Sequence, residues 1–532
     1  MTELKGVLDK MEQAEREEAD PRPEIVIRDE LVPVTDEALD ALRTAADGLY
    51  VRGRLLVQVA RTDAVQELPW LKRPEGGLVI VPLEISSLQD RLDRAACWVR
   101  LKKGLPVRAR PPEWVARQIM ARLAWPFPLL SGVIETPTLR PDGTVLQDPG
   151  YDRDTGLLYV PSAEYPDVPE LTRPEMPGLV QSLLDPVCDF PFVQDTDRAT
   201  YTAAIVSLVA RYAIHGPVPA FPVVAPVPGA GKGLLARIMA LIGTGREPTV
   251  MTAPGDEVEF RKRLLVLAIA GTQAVLLDNI SGTLGSDQLA AALTLMEFTD
   301  RLLGVSRLVT APLTATWFLT GNNLRFGRTL GRRMVPISLD PDCEHPEDRT
   351  GFKYQDVIAR VKAERPALVV AALALLRAYV LAGQPPHGQP RMGSFEPWDG
   401  LVRGAVVWAG LPDPAATSDA TRGRGRIRAE ADEDLEQVDA LLDALCVTFG
   451  DTAFQVADVL AKADGKADGD ILKAALQTSA TDAKGFITAR SLGNAFRNLR
   501  DRWVRGRRLV RTPKAVGRPR GSWALERREV TP

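Results

Sequence analysis

The segment APVPGAGKGLL, residues 225–235, constrains the fold of this chain more than any other stretch. It follows the apolar run AFPVV and opens the amphipathic run KGLLARIMALIG, which is the order strand, glycine turn, helix. In that order, the N–H groups of the turn and the positive end of the helix converge on one point and bind phosphate. The spacing approaches G-x-x-x-x-G-K-[ST], with Gly231 and Lys232 in register. Pro226 replaces the first glycine, however, and Gly233 replaces the hydroxyl residue.

The glycine turn is expected to bind the phosphates of ATP. The residues involved are Pro228, Gly229, Ala230, Gly231, Lys232, Gly233 and Leu234. Lysine carries a compact charge on a flexible stem, so the Lys232 ammonium is expected to reach the β- and γ-phosphates. Because Gly233 has no hydroxyl, the Mg²⁺ that accompanies ATP must take that ligand from water or from another side chain. The sequence therefore predicts an intact phosphate site with an altered metal shell.

A carboxylate is predicted at the edge of the same sheet by AVLLDN, residues 274–279. Four apolar residues describe a buried strand, and its carboxyl end is where ligands of open α/β sheets bind. Asp278 is therefore a candidate Mg²⁺ ligand, although Asp-Asn is also common in turns that simply end a strand. Asn279 stands where a glutamate would supply a general base, and an amide orients water without accepting its proton. Glu257 and Glu259 are alternative bases, but their pattern is also that of a solvated helix face.

Two further segments place polar side chains at strand ends. TATWFLTGNN, residues 314–323, describes a strand that ends near Asn322, whose amide is expected to contact the γ-phosphate or the attacking water. GRTLGRRMVPISLD, residues 327–340, sets Arg332 and Arg333 directly before another strand. An arginine from a neighbouring subunit stabilises charge on a transferring phosphoryl group, so this pair is a candidate arginine finger. The alternation of short strands and helices predicts an α/β fold with a parallel sheet covered by helices.

The order and spacing of GAGKG, LLDN, TGNN and GRR resemble those of superfamily 3 helicases of the AAA+ class. Residues 111–410 resemble more closely the ATPase module of phage- and plasmid-type primase-helicase replication proteins. PTLRPDGTVLQDPGYDRDTGLLYVP and TDRLLGVSR…TATWFLTGNN carry that closer likeness. The resemblance implies an AAA+ type P-loop core that assembles as a ring, usually a hexamer, with single-stranded DNA in its channel. The departures at Gly233 and Asn279 concern the rate of hydrolysis more than nucleotide binding.

The same resemblance implies roles for particular residues. These are phosphate binding by Lys232, Mg²⁺ binding by Asp278, a sensor role for Asn322, and a finger acting in trans for Arg332 or Arg333. It also makes DRLLGVSRLV, residues 300–309, a candidate hairpin that enters the channel, with Arg301 and Arg307 near DNA. A primase signature does not precede the ATPase segment, so priming is not predicted.

A basic segment ends the chain, since residues 484–532 contain 14 lysines and arginines against 3 acidic residues. TARSLGNAFRNLRDRWV predicts an amphipathic helix, and RRLVRT and GSWALE predict two strands around the loop PKAVGRPRG. This is the outline of a winged helix, whose helix enters the major groove of duplex DNA while the wing contacts phosphate. The candidate DNA contacts are Arg497, Arg500, Arg502, Lys514, Arg518 and Arg520. A solvated basic tail or a protein-binding domain is the alternative.

At 532 residues the chain is too long for one hydrophobic core. The predicted divisions are an N-terminal charged helix with a small α/β domain (1–110), a proline-rich connection (111–200), the ATPase core (201–345), a helical lid (346–411), a linker (412–430) and the basic domain (431–532). The formal net charge is only −3, so affinity for DNA must come from local patches. Cys343 and His345 lack the second cluster that a metal site needs.

The apolar run 367–383 is short and carries Arg377 at its centre, which predicts a buried helix and not a membrane span. The N-terminus lacks an apolar signal core, so we expect a cytoplasmic protein without a membrane partner. The function favoured is an ATP-driven DNA helicase or translocase in replication of a mobile genetic element. The alternative is an ATP-gated initiator or loader with little or no unwinding. Gly233 and Asn279 favour the alternative, whereas the paired arginines and the channel hairpin favour the helicase.

Overall fold

The computed structural model describes residues 20–45, 48–65, 67–253, 256–301, 308–343, 345–417, 423–464, 469–481, 485–501, 503–504, 506–512 and 522–527. The charged helix and the wing loop predicted at the two ends of the chain lie outside these residues. The chain divides into two compact units, one ending at Ala416 and the other beginning at Thr417. The boundaries predicted at 110, 200 and 345 therefore fall inside the first unit, and the end of the predicted lid lies close to the division.

The first part of the chain alternates strands and helices, as its sequence predicts. Its elements are β1 (Glu24–Val26), α1 (Leu31–Ala45), β2 (Tyr50–Arg52), β3 (Leu55–Arg61), β4 (Leu71–Lys72), β5 (Leu78–Pro82), α2 (Ile85–Ala95), β6 (Cys97–Lys102) and β7 (Leu105–Arg108). The strands form two small sheets, in the orders β1–β6–β7 and β2–β3–β5. Apolar side chains of both helices and both sheets share one core, which includes the buried ring of Trp98. β4 belongs to neither of these sheets.

The proline-rich connection is loop-rich but contains short regular elements. They are α3 (Glu113–Ala121), β8 (Gly132–Ile134), β9 (Thr138–Leu139), β10 (Val145–Leu146), β11 (Gly150–Asp152), β12 (Leu157–Tyr159) and α4 (Met176–Leu184). β8, β11 and β12 form one small sheet, and β9 pairs with β10. Between β9 and β10, Asp142 accepts a hydrogen bond from the backbone N–H of Thr144 at 2.9 Å, and Gly143 has a φ of 86°. This is the turn chemistry that the sequence indicates.

A six-stranded sheet occupies the centre of the first unit. Its region contains α5 (Asp195–Val209), β13 (Phe221–Ala225), α6 (Lys232–Thr244), β14 (Thr249–Thr252), α7 (Glu257–Ala270), β15 (Ala274–Leu284), α8 (Asp287–Ala292), β16 (Glu297–Arg301), β17 (Leu308–Pro312), β18 (Thr316–Phe326), α9 (Arg328–Gly331) and β19 (Ile337–Ser338). The strand order is β19–β13–β18–β15–β14–β4, and only β4 runs antiparallel to its neighbour. Every residue of β13 is buried, as expected for a parallel strand covered on both faces. The predicted α/β fold with a parallel sheet is confirmed.

β15 and β18 are longer than the sequence indicates, because they continue past Asp278 and Asn322. The register between the two strands shifts after Leu277, so Asp278 and Asn279 form a β-bulge and not a terminal turn. Asn279 adopts a φ of 54°, in the left-handed region that asparagine tolerates better than most residues. The Asp-Asn pair therefore bends β15, which continues to pair with β18 after the bulge.

Two contacts join the N-terminal region to the rest of the first unit. β4 pairs with β14 and forms the outer strand of that sheet. Arg52, at the end of β2, is 2% exposed and donates hydrogen bonds to four backbone carbonyls at 2.5–3.1 Å. These are the carbonyls of Leu130, Ser131, Ala268 and Pro312. Burial lowers the pKa of Arg52 to about 10, which leaves the guanidinium charged at neutral pH.

The predicted helical lid contains α10 (Val357–Leu381), α11 (Glu396–Trp398), a π-helical turn (Asp399–Arg403) and α12 (Gly404–Trp408). The apolar run of α10 is buried, as predicted, and none of the described helices is long and apolar enough to cross a membrane. Arg403 donates a hydrogen bond to Asp399 at 2.6 Å and two to Asp413 at 2.6 and 2.7 Å. All three side chains are at most 12% exposed, so the network fixes the π-turn from inside.

The second unit contains helices followed by a β-hairpin. The elements are α13 (Gly423–Phe449), α14 (Val456–Ala463), α15 (Gly469–Ser479), α16 (Ala489–Leu499), β20 (Arg507–Arg511) and β21 (Trp523–Arg527). α13 begins inside the segment predicted as a linker, because the residues after Gly423 are rich in alanine, arginine, glutamate and leucine, which favour helix. On the predicted apolar face of α16, Phe496 packs edge-on against both Phe454 and Trp523. The two predicted strands pair antiparallel.

Candidate functional site

The glycine loop, residues 226–231, joins the buried strand β13 to α6 and has a tightly packed backbone. Gly229 and Gly231 have φ values of 77° and 86°, which side-chain-bearing residues rarely adopt. A β-carbon on Gly229 would lie 2.6 Å from Oε2 of Glu347, and one on Gly231 would lie 3.1 Å from the ring of Phe190. By contrast, a β-carbon on Gly233, in the first turn of α6, would have no atom within 4 Å. The loop therefore requires its two glycines, whereas the position of the missing hydroxyl is sterically open.

Lys232, the first residue of α6, is half-buried beside the glycine loop. Its ammonium donates a hydrogen bond to the backbone carbonyl of Val227 at 2.9 Å. Burial lowers the pKa of Lys232, and the negative charge of Asp278 opposes that shift. The cation from the loop and the carboxylate from β15 thus act on each other electrostatically, as the predicted site requires.

Asp278 lies exposed on the β-bulge of β15 and is oriented by its neighbour in β18. Its Oδ1 accepts hydrogen bonds from the hydroxyl of Thr320 at 2.5 Å and from the backbone N–H of Asn279 at 3.0 Å. The same N–H of Asn279 also lies 3.1 Å from the Thr320 hydroxyl oxygen. Gly321 follows Thr320, and a β-carbon there would clash with the backbone carbonyl of Ile280. The bulge, the threonine and the glycine together hold one oxygen of the carboxylate in place.

Asn322 lies in the strand between the glycine loop and Asp278. In the sheet it is opposite Ala225, the last residue of β13, and opposite Ser281 of β15. Its side chain is exposed at this edge. The structure thus brings Lys232, Asp278 and Asn322 to the same edge of the sheet.

The two candidate finger arginines differ in their surroundings. Arg332 is exposed at the end of α9, whereas Arg333 is 9% exposed and donates a hydrogen bond to the backbone carbonyl of Thr329. Burial lowers the pKa of Arg333, and the neighbouring positive charge of Arg332 lowers it further. Arg333 is therefore engaged within the fold, whereas Arg332 lies at the surface.

The two glutamates considered as alternative bases have partners of their own. Glu257 accepts a hydrogen bond from the backbone N–H of Gln288 at 2.9 Å. Glu259 accepts one from Arg263 at 3.1 Å, and its backbone N–H is capped by Asp256 at 2.7 Å. Both carboxylates thus help to fix the start of α7 and its contact with α8.

Phe190 and Glu347 border the glycine loop, and the sequence gives no signal for either. The segments that carry them are tied together, since Asp189 accepts a hydrogen bond from the backbone N–H of Lys353 at 2.7 Å. The Lys353 ammonium also forms an ion pair with Asp185 at 2.5 Å. A hydrogen bond to its own backbone N–H lowers the pKa of Glu347, so this carboxylate is charged at neutral pH. A negative charge thus stands on the outer side of the loop.

The predicted channel hairpin is formed by β16 and β17, which pair antiparallel from Glu297 with Pro312 to Arg301 with Leu308. Arg301 is exposed at the last pair. The tip, with Arg307, lies outside the described residues. Asp300 is buried and accepts a hydrogen bond from Arg261 of α7 at 2.9 Å, which fixes the base of the hairpin to the core.

The predicted DNA contacts of the second unit lie in part on described residues. Arg497 and Arg500 are exposed at the end of α16, and Arg500 pairs with Asp501 at 3.0 Å. Arg502, Lys514, Arg518 and Arg520 lie outside the described residues. The hairpin is anchored by Arg507, which donates a hydrogen bond to Asp439 of α13 at 2.8 Å.

Within the described part of the chain, no three histidine, cysteine, aspartate or glutamate side chains are grouped as a metal cluster would require. Mg²⁺ bound with a nucleotide needs fewer protein ligands, because it keeps several waters and takes oxygens from the phosphates. Asp278 is suited to that role, since Thr320 occupies its Oδ1 and orients the carboxylate at the sheet edge.

Comparison with known proteins finds distant likeness. No protein-family model and no curated protein matches the chain. It is similar to the apo structure of the NrS-1 C-terminal region, with 12% identity over 80% of this chain and 93% of that one, at a TM-score of 0.35. It is also similar to the SCCmec type IV Cch active helicase, with 10% identity over 91% and 98% of the two chains and a TM-score of 0.30. A third similar structure, JCV helicase, has 17% identity over 45% and 68%, with a TM-score of 0.20.

Proposed function

We propose that this protein is a cytoplasmic, ATP-dependent DNA helicase that works as a ring in the replication of a mobile genetic element. The observation that supports it most directly is the convergence of the glycine loop, Lys232 and the hydrogen-bonded pair Asp278–Thr320 at one edge of a parallel sheet. Ligands of open α/β sheets bind at such an edge. In this proposal the sheet is the P-loop core of an AAA+ ATPase, as the sequence resemblance implies.

The residues at this edge fit ATP with Mg²⁺. The glycine loop holds its left-handed backbone at two positions where a side chain would collide with its neighbours, and the open first turn of α6 offers its N–H groups to phosphate. Lys232, which now donates to the carbonyl of Val227, would bind the phosphates, and Asp278, whose carboxylate Thr320 orients, would bind Mg²⁺. When bound, Mg²⁺ neutralises charge on the transferring phosphoryl group.

The remaining roles follow from position. Asn322 orients the attacking water, since it lies between the strand that enters the glycine loop and the strand of Asp278. Its amide cannot take the proton, so the base is water or a group outside this edge. Arg332, exposed beside the buried Arg333, is the proposed finger on the nucleotide of a neighbouring subunit. The hairpin β16–β17 projects into the ring channel with Arg301 facing single-stranded DNA.

The experiment that tests the proposal is an ATPase assay on purified protein. Lys232→Ala removes the cation of the glycine loop, and Asp278→Ala removes the Mg²⁺ ligand, so each variant should lose ATP hydrolysis. Lys362→Ala is the matched control, because Lys362 is exposed on α10 and belongs to none of these elements. Near-normal turnover in either site variant would show that the active site lies elsewhere.

An ATP-gated initiator or loader is the second candidate, favoured by Gly233 and Asn279. Neither residue supplies the hydroxyl or the carboxylate that fast hydrolysis uses. A strand-displacement assay with a forked duplex separates the two functions. ATP-dependent release of the displaced strand supports the helicase, whereas nucleotide-dependent DNA binding without displacement supports the initiator or loader.

The second unit is the proposed site for duplex DNA, as a winged helix. The fold of α16 with the hairpin β20–β21 supports this, because the apolar face of α16 packs inward and leaves Arg497 and Arg500 exposed. In a winged helix those arginines approach the groove or its phosphates, and the loop between the strands contacts the backbone.

A further inference from the structure

The ribbon β6–β7 projects from the N-terminal region as a two-stranded hairpin. β1 pairs with β6 only through Cys97–Val99, and β7 pairs with β6 from Val99 with Arg108 to Lys102 with Leu105. Beyond β1, the side chains of residues 100–108 are all exposed, so both faces of the ribbon meet solvent. The proposed helicase function does not use this ribbon.

The ribbon carries positive charge on both faces and no acidic residue. Its cations are Arg100, Lys102, Lys103, Arg108 and Arg110, and residues 97–110 contain neither aspartate nor glutamate. Because paired residues of an antiparallel ribbon share a face, Arg100 and Lys102 lie on one side and Arg108 on the other. Arg108 is 3.8 Å from Asp20, a carboxylate that Arg22 already engages through its guanidinium and its backbone N–H.

The turn of the ribbon holds a lysine in an unfavourable conformation. Lys103 and Gly104 have φ values of 52° and 82°, which is the type I′ pattern of a two-residue hairpin turn. Asparagine or glycine is the usual first residue of that turn, and a left-handed conformation costs other residues about 1–2 kcal/mol. The Lys103 cation at the turn of the ribbon is therefore kept at a cost in folding stability. Strain of this kind concentrates at functional sites.

Aliphatic side chains lie exposed among these cations. Leu101, Leu105 and Val107 are 56%, 69% and 41% exposed. A surface on which apolar groups stand among positive charges, of which Arg108 has Asp20 nearby, fits an anionic partner that also offers apolar contact. Duplex DNA is anionic and also offers apolar contact, since its grooves expose sugar and base edges, including thymine methyl groups, between two rows of phosphates.

We propose that the ribbon β6–β7 is a second duplex-DNA-binding element that enters the major groove. That groove admits a two-stranded β-ribbon and flanks it with phosphates on both sides. The cations of the ribbon match this geometry. Arg100 and Lys102 would face the phosphates of one strand, Arg108 would face those of the other strand, and Lys103 would lie deepest, at the turn. An acidic protein surface would engage one face and leave the opposite cation unused.

The test compares two triple variants of the full chain that remove the same charge. R100Q/K102Q/K103N neutralises the ribbon, and K103N keeps a residue that the I′ turn accepts. R43Q/R94Q/R117Q is the control, because these exposed arginines lie on α1, α2 and α3 of the same region. A fluorescein-labelled duplex is titrated by anisotropy without nucleotide at several salt concentrations. The ribbon variant should bind more weakly, with a slope of log K against log salt flatter by about 2–3 units for three lost phosphate contacts.

Direct contact is measured by photo-crosslinking from a benzoyl-phenylalanine placed at Leu105, with the same group at the exposed Leu381 of α10 as control. Crosslinking of the duplex from position 105 alone supports the proposal. Equal affinities and salt slopes for the two triple variants, or no crosslink from position 105 above the control, would overturn it. ATP hydrolysis without DNA should be unchanged in both triple variants, so failure of this proposal is distinguishable from failure of the proposed helicase.

Discussion

Thr320 is a residue whose importance emerges only from the folded chain. Its hydroxyl donates to Oδ1 of Asp278 at 2.5 Å, and a hydrogen bond to a charged group contributes about 2 kcal/mol. Thr320→Val keeps the shape of the side chain but removes this bond, so kcat of the ATPase should fall roughly 30-fold. Thr320→Ser keeps the hydroxyl and should retain most of the activity. Equal losses in the two variants would show that packing, and not orientation of Asp278, is what Thr320 provides.

At Gly233 we predict a substitution that preserves or improves ATPase activity, in contrast to the loss predicted at Thr320. A β-carbon there has open space, and its φ is not left-handed, so Gly233→Thr should fold normally and place a hydroxyl where Mg²⁺ can use it. The Mg²⁺ concentration for half-maximal ATPase activity should fall, and kcat should be kept or raised. Gly233→Ala adds the carbon without the oxygen and should leave the Mg²⁺ dependence unchanged. A Mg²⁺ dependence unaltered by threonine would mean that the metal is bound away from α6.

Among elements, the π-turn Asp399–Arg403 depends on buried charge. Arg403→Met would leave Asp399 and Asp413 without their cation in the interior, which costs about 3–5 kcal/mol of unfolding free energy. Arg360→Met breaks an exposed ion pair with Glu364 on α10 and should cost only about 0.3–0.5 kcal/mol. Urea unfolding, followed by tryptophan fluorescence, measures both. A small effect for Arg403→Met would mean that water reaches the network.

For helices, strands and turns, the sequence predicts the features that neighbouring residues in the chain determine. The sequence predicts the unit formed by β13, the glycine loop and α6, because the apolar run, the glycines and the amphipathic helix are adjacent in the chain. The bulge at Asp278 is not predicted, because it depends on β18 continuing beside it. Phe190 and Glu347 are not foreseen either, since their place beside the glycine loop arises from packing between distant segments. The start of α13 is missed because glycine and arginine at a helix start resemble a linker.

For the whole molecule, the proposed ring predicts that ATP hydrolysis requires residues from two neighbouring chains. If Arg332 acts on the nucleotide of a neighbour, Arg332→Ala and Lys232→Ala proteins should each be inactive. A mixture should recover part of the ATPase activity, because some interfaces then combine an intact glycine loop with an intact arginine. Arg333→Ala should lower stability instead, since its side chain is buried in its own subunit. A monomer by light scattering, with ATP and DNA present, would contradict the ring.

The contacts of β4 and Arg52 with the rest of the first unit bear on how such a protein is inherited. A recombination event that transferred only residues after 110 would leave β14 as a bare sheet edge, and bare edges recruit other chains. It would also remove the donor of four backbone carbonyls. The segment that can be exchanged intact between genes is therefore the first compact unit as a whole. The central sheet and the N-terminal region should accordingly share one evolutionary history.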